Sequence, residues 1–305
     1  VIARRIVSLL PSATEILFAI GAGEGVAGVT HECDFPSAAR SRVALTSSLL
    51  PGDAVTAGAI DRHVRASVHG GSSLYALDAE RLAQLEPDLI VTQELCAVCA
   101  VSYEIVARAA KRLRGDPRVV SLEPSSLEDV YATIVFLGEL SGRERGAAEV
   151  VAGLRLREAV LRNTPRDASP RALILEWTDP PMSGGHWTPG LVELASATPL
   201  LANPGANSQT LTWEAIAHAD PDVVVVVPCG FDLDHAQRAA AELARNPVWN
   251  GLRAVRSGRA YVMDGNAYVN RPGPRLIDSA ERFAWCFHDT AIAPQPSGID
   301  FYQGP

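Results

Sequence analysis

The chain has 305 residues, enough to bury a full core, and its 47% hydrophobic and 20% charged residues are ordinary globular proportions. A formal net charge of −8 disfavours nucleic acid or an anionic membrane surface as partner, because binding phosphate needs a basic face. No run approaches the roughly 20 apolar residues of a membrane span, so no membrane insertion is expected.

Val1 to Leu10 runs into Pro11 without the charged, apolar and cleavage regions of an export signal. As it stands the chain reads as cytoplasmic; a mature chain whose leader had been removed would look the same, which leaves a periplasmic or cell-surface alternative. Ile6 to Leu10 predicts a strand that Pro11-Ser-Ala-Thr-Glu15 turns into a helix. There Ser12 and Glu15 have the spacing of a capping box, in which each side chain serves a free backbone N–H. Gly21 and Gly23 end that helix. Val26 to Thr30 is the next strand, running into His31-Glu-Cys-Asp-Phe-Pro36. Residues 47–71, rich in Gly, Ser and His, are expected to be an irregular segment over a cleft. Leu77 to Leu85 reads as a helix, Leu89 to Val91 as a buried strand, Ser102 to Leu113 as a helix and Val119 to Leu122 as a strand. Ser125 and Glu128 repeat the capping spacing before a helix from Leu127 to Leu140. After Ser141-Gly142 a second helix runs from about Arg143 to Arg162. At 1.5 Å per residue it reaches ~30 Å, a candidate rigid spacer.

The second half repeats the first. Glu80-Arg-Leu-Ala-Gln-Leu-Glu-Pro-Asp88 before the strand at Leu89 is echoed by Glu214-Ala-Ile-Ala-His-Ala-Asp-Pro-Asp222 before Val223-Val-Val-Val-Val-Pro-Cys229. Helix, Pro-Asp, buried strand and cysteine recur in the same order. Around that copy, Arg171 to Glu176 and Arg259 to Asp264 read as strands, and Leu191 to Ala195 and Leu276 to His288 as helices. The Pro- and Gly-rich tail from Ala291 to Pro305 is expected to be draped on the surface or disordered. The fold class is therefore α/β, with two Rossmann-like lobes bridged by a long rigid helix and a ligand cleft between them. The expected divisions are residues 1–124, a helical connection 125–166, a second lobe 167–290 and a tail 291–305.

Chemistry-bearing residues gather at strand carboxyl ends, where ligands bind in open α/β sheets. They are His31, Glu32 and Cys33; Gln93, Glu94, Cys96 and Cys99; Trp177, His186 and Trp187; Cys229 and Phe231; and Asn266, Tyr268 and Arg271. Several readings stay open for each. His31, Cys33, Cys96 and Cys99 suit zinc or iron; Cys-x-x-Cys at a helix start suits thiolate chemistry; small buried thiols need neither. Five cysteines, an odd count, read as reduced thiols rather than a disulfide framework. His186-Trp187 is a stacking loop or a packed turn, and Arg271-Pro-Gly-Pro-Arg275 binds an anion or caps the last helix. Glu80 and Glu214 are by default solvated helix residues. A cysteine nucleophile would need an activating base, for which His31 is the candidate. Gly-x-Ser-x-Gly, the phosphate-binding Gly-x-x-x-x-Gly-Lys and His-Glu-x-x-His are all missing.

From Arg5-Ile-Val-Ser-Leu-Leu-Pro-Ser-Ala-Thr-Glu15 to Phe287 the chain resembles the substrate-binding proteins of ABC importers for vitamin B12 and iron-siderophores, above all the cobalamin-binding branch. Gly28-Val-Thr-His-Glu-Cys-Asp-Phe-Pro36, Glu86-Pro-Asp-Leu-Ile-Val91 and Pro221-Asp-Val-Val224 carry the resemblance. It implies a non-catalytic, monomeric binder of cobalamin or a related corrinoid, held by Ser12, Trp213 and the loop residues above, with Trp187 and nearby aromatics under the flat ligand. It also implies Glu80 and Glu214 as docking carboxylates for an ABC permease. His, Cys and Cys-x-x-Cys stand where this family usually offers aromatics, so a metal-ion or metal-chelate binder, siderophore- or haem-like, is the alternative.

Overall fold

The described residues form two large sheets and one of two strands, and in each large sheet the central strands are apolar runs buried on both faces, as parallel strands covered by helices must be. The computed structural model describes residues 2–50, 56–69, 74–93, 103–113, 115–289 and 294–303. They form two compact units, Val1–Val55 with Ala59–Pro124 and Glu128–Gly153, and Thr56–Gly58 with Ser125–Leu127 and Leu154–Pro305.

The first unit runs β1 (Ile6–Ser8), α1 (Pro11–Ala19), β2 (Val26–Val29), β3 (Val43–Ala44), β4 (Thr46–Ser48), α2 (Ala57–His69), β5 (Tyr75–Leu77), α3 (Ala79–Leu85), β6 (Leu89–Thr92), α4 (Tyr103–Ala110), β7 (Arg118–Ser121) and α5 (Leu127–Ser141). Its sheet is parallel throughout, in the order β3-β2-β1-β6-β7, with Ile6 opposite Val26 and Leu89. Val7, Leu9, Leu45, Leu82, Ile90 and Val106 fill one core cluster. Two expectations need correcting. Helix α1 begins on Pro11, with Leu10 as an N-cap that gives no side-chain bond, so Ser12 lies inside the first turn and makes no capping box with Glu15. Proline's fixed φ and missing N–H suit the first helical position, which moves the start ahead of Ser12. Residues 47–71 are not irregular throughout: β4 pairs antiparallel with β5, and Ala57–His69 is a 13-residue helix.

Helix α6 (Glu144–Asn163) matches the expected spacer, and it is 20 residues long. Glu128 to Gly153, covering most of α5 and the first half of α6, belong to the first unit, and the rest of α6 to the second. Each half is seated differently. In the first unit Gly138 packs on the Ala147 methyl and Gly146 on the Ile20 carbonyl, so closely that a Cβ on either would collide. In the second, the Arg157 guanidinium bridges Asp278 and Glu281, the Glu281 contact lying at 2.6 Å. The Glu281 bond, and then Asp278, hold Arg157 protonated well above the ordinary guanidinium range, against burial.

The second unit runs β8 (Arg171–Thr178), β9 (Pro181–Ser183), α7 (Thr188–Leu194), β10 (Thr198–Pro199), α8 (Trp213–Ala219), β11 (Val223–Val226), α9 (Leu233–Leu243), α10 (Pro247–Gly251), α11 (Arg253–Arg256), β12 (Ala260–Met263), α12 (Leu276–Ala284) and β13 (Ile299–Phe301). A short π-helical stretch, Trp285–Asp289, prolongs α12. The sheet order is β10-β8-β11-β12-β13, parallel except for β13, with β9 antiparallel to β8. The tail is thus part of the core: Ile299 is buried opposite Met263, and Tyr302 packs edge-on to the buried Trp249 at 5.3 Å. No helix among the described residues is long and apolar enough to cross a membrane.

Candidate functional site

Strand order locates the reactive edge of each unit. In the first, the chain leaves β1 towards β2 and β3, then returns to β6 and β7 on the other side. In the second it leaves β8 for β10, then returns to β11 and β12. Both sheets therefore have a switch point, and ligands bind in open α/β sheets outside the carboxyl ends of the strands that flank it. These strands are β1 and β6 in one unit, β8 and β11 in the other.

At the first unit's edge, Ser12 and Gln93 are buried just beyond β1 and β6. The His31 loop follows the neighbouring β2. His31 lies at the surface with Nδ1 2.7 Å from Thr46 Oγ1, and its ring is 5.7 Å from that of Tyr75, whose hydroxyl donates to Glu32 Oε1 at 3.3 Å. The antiparallel pair β4–β5 therefore supplies both partners, Thr46 and Tyr75, which no local pattern around His31 announces. Cys33 is only 4% exposed, and its sulfur lies 3.1 Å from the hydroxyls of Thr14 and Thr30. Glu94, Cys96 and Cys99 lie outside the described residues. Among the described residues no three His, Cys, Asp or Glu side chains come together as a metal site, and His31 and Cys33 each face threonine hydroxyls.

The second unit's edge is aromatic. Trp177, near the end of β8, meets Phe231, beyond β11, edge to face at 5.4 Å, and Phe231 in turn lies 6.0 Å from the His235 ring. The Trp177 indole N–H donates to the Asp179 carbonyl at 3.1 Å, which fixes its plane at the surface. The loop after β12 is stitched to these residues: Asn266 N–H donates to the Phe231 carbonyl at 2.9 Å, and Asn270 Nδ2 to the Val227 carbonyl at 3.2 Å. Arg271, 7% exposed, donates to Asn266 Oδ1 at 2.6 Å. Tyr268 is turned into an arginine stack, with Arg282 3.7 Å from its ring centre and donating to its hydroxyl at 2.8 Å. Burial, with Asp232 nearby, raises the Asp264 carboxyl above the usual range even though it accepts the Ala267 N–H.

One sequence expectation fails here. Trp187 is 9% exposed, and its indole N–H donates to the Val269 carbonyl at 2.6 Å, so it packs the loop rather than offering a face to a ligand. Gly184-Gly185 before it serve packing as well, since a Cβ on Gly185 would meet the backbone of Ala206 to Ser208. His186 holds a left-handed φ of 51°, and burial lowers its pKa against an opposing bond to Asn207. Cys229 is half-buried and lies beyond β11, where its N–H donates to the Glu176 carbonyl. Trp213 is half-buried, the first residue of α8, and packs on the core cluster. Asp232 and His235, three residues apart at the start of α9, are the pair that sequence reasoning missed; Asp-x-x-His across a helix start was the available signal.

The duplicated unit is reproduced almost residue for residue. Asp78 caps α3 and Thr212 caps α8; Glu86 and Asp220 leave those helices at φ 42° and 40°. Asp88 then accepts the N–H groups of Arg4 and Arg5, and Asp222 that of Arg171, so each aspartate anchors the start of its unit's first strand. Glu80 and Glu214 are each the second residue of their helix, and both are exposed.

A Bacillus subtilis protein described as an uncharacterized ABC transporter substrate-binding lipoprotein is 26% identical, over 92% of this chain and 79% of its own. A cobalamin-binding protein of Halobacterium salinarum is 24% identical, over 94% of this chain and 70% of its own. The solved periplasmic heme-binding protein of Roseiflexus sp. RS-1 has a TM-score of 0.70 at 23% identity, covering 95% of this chain and 99% of that one, a likeness of fold. Together with the sequence profile matching residues 6–267, these place the molecule among solute binders of ABC uptake, which hold small molecules for a permease and do not transform them. The chain belongs to the periplasmic binding protein family.

Proposed function

We propose that the protein binds cobalamin or a related corrinoid for ABC-type uptake. The observation that carries this reading is the likeness, over 94% of this chain and 70% of the other, to a relative named for cobalamin binding. The aromatic edge supports it, because Trp177 and Phe231 offer apolar ring surface to a flat macrocycle while the buried Arg271 and Asn266 stand behind it. Flat aromatic surface bounded by a few polar groups is the usual make-up of a small-molecule site. Glu80 and Glu214 are the docking carboxylates for a permease in this proposal, supported by their equal, exposed places in the repeat. Members of the family act outside the cytoplasm, and we place this chain there too, on the alternative its sequence left open.

A second reading has its own support. The Roseiflexus structure is named for heme, and His31 and His235 are surface imidazoles at the two edges. Parallel equilibrium dialysis against cyanocobalamin, haemin and a ferric siderophore separates the readings. Saturable retention of cyanocobalamin alone, at one per chain, is the expected result. Saturable retention of haemin or the siderophore without cyanocobalamin would move the assignment to that chelate.

A further inference from the structure

Resting on the corrinoid reading, we propose that His235 is an axial ligand, giving its Nε2 to the cobalt of a corrinoid that lacks its own lower base, with Asp232 as the residue that orients the ring. The geometry begins at α9. Asp232 Oδ1 accepts both the His235 backbone N–H at 2.8 Å and the ring Nδ1 at 2.6 Å. A carboxylate can only accept, so Nδ1 carries a proton and Nε2 is the ring nitrogen left to meet a metal. Among the described residues Nε2 makes no hydrogen bond. A carboxylate behind one ring nitrogen with the other free is the arrangement that metal-binding histidines use to fix tautomer and direction.

The bland alternative is that His235 merely answers the N-cap of its helix. A cap needs only the Asp232 bond to the backbone N–H. What exceeds it is the placement of the imidazole against Phe231, the third ring of a run that starts with Trp177 on the switch-point strand. A macrocycle seated against the Phe231 ring would lie next to the imidazole, whose ring centre is 6.0 Å from that of Phe231. A single imidazole suffices when the chelate supplies the other donors, so it needs no three-residue metal cluster, and none occurs among the described residues. The step is a ligand exchange at cobalt(III). The Nε2–Co bond forms, the Co–water bond breaks, water leaves, and no electron is transferred.

The test uses diaquocobinamide, a corrinoid without a nucleotide base, with the wild-type protein, His235→Ala and Asp232→Asn. Binding is followed by tryptophan fluorescence, and ligation separately by the visible spectrum. The wild type is expected to bind with the spectrum of a nitrogen-ligated corrinoid. His235→Ala is expected to bind with the diaquo spectrum, and added imidazole to restore the shift. Asp232→Asn, which still caps α9, should keep the shift and bind about 10-fold more weakly, as loss of an orienting partner does. Saturable binding with identical spectra for wild type and His235→Ala would overturn the axial role and leave the corrinoid reading standing. No saturable binding by either protein would overturn both.

Discussion

The two copies of the helix, Pro-Asp and strand unit share a frame and differ in what they lead to. Both helices leave through a left-handed residue, and both aspartates hold the start of their unit's first strand by backbone N–H groups. Beyond the strands the likeness ends. In the first unit β6 leads to a buried Gln93, beside a loop whose His31 and Cys33 face threonines. In the second, β11 leads to Phe231, stitched to the loop after β12 and set edge to face against Trp177. The second unit also closes its sheet with an antiparallel strand from the tail. The frame is a solution to backbone hydrogen bonding and repeats; the chemistry sits in loops whose side chains the frame does not constrain.

The largest expected effect separates the two tryptophans of the second edge. Trp187→Ala removes a buried indole and its bond to Val269, and should lower stability by ~3–5 kcal/mol in urea unfolding. Trp177→Ala should change stability far less and instead weaken ligand binding. If Trp187→Ala were nearly neutral for folding, the division into packing and binding aromatics would fall. The shared frame is tested next. Asp88→Ala and Asp222→Ala should each cost about 1.5–3 kcal/mol, the worth of hydrogen bonds to a charged group. The two losses should be similar, because Asp88 serves two backbone N–H groups and Asp222 serves one together with the Arg253 guanidinium at 2.8 Å.

Smaller effects come from α6, whose two glycines should respond with opposite signs. Gly146→Ala drives a methyl into the Ile20 carbonyl and should destabilise by ~1–3 kcal/mol. Gly153→Ala meets nothing and should stabilise by up to about 1 kcal/mol through helix propensity. The smallest effect is a pH dependence from His186. Its folded pKa lies below the unfolded imidazole's, so the unfolded chain binds the proton first, and stability falls as pH drops below the ordinary value of about 6.5. The urea midpoint should fall less between pH 7 and 5 in His186→Gln than in the wild type. An equal fall in both would remove His186 as a cause.

Much of this frame was legible in the residues. Val223 to Val227 can only be a central strand, and the repeated Pro-Asp gives away the duplication. What was not legible depends on distant partners. The tail strand is three residues long and is a strand only because β12 offers it an edge. Helix α2 hides in a segment whose Gly, Ser and His content suggests a loop, although Ile60 and Val64 keep a helical spacing. His31 is positioned by Thr46, 15 residues on, and Trp187 by the Val269 carbonyl, 82 residues away. Gly-Gly-His-Trp reads the same whether its indole faces outward or inward, so only that contact decides it.

The central claim is corrinoid binding at an aromatic edge. Its most direct test is a cobalamin titration followed by tryptophan fluorescence, corrected for inner-filter absorption, on the wild type and Trp177→Ala. The account predicts saturable quenching at one cobalamin per chain, with the curve for Trp177→Ala displaced to weaker binding. No saturation up to about millimolar cobalamin, where the binding free energy is only about −4 kcal/mol, would contradict it.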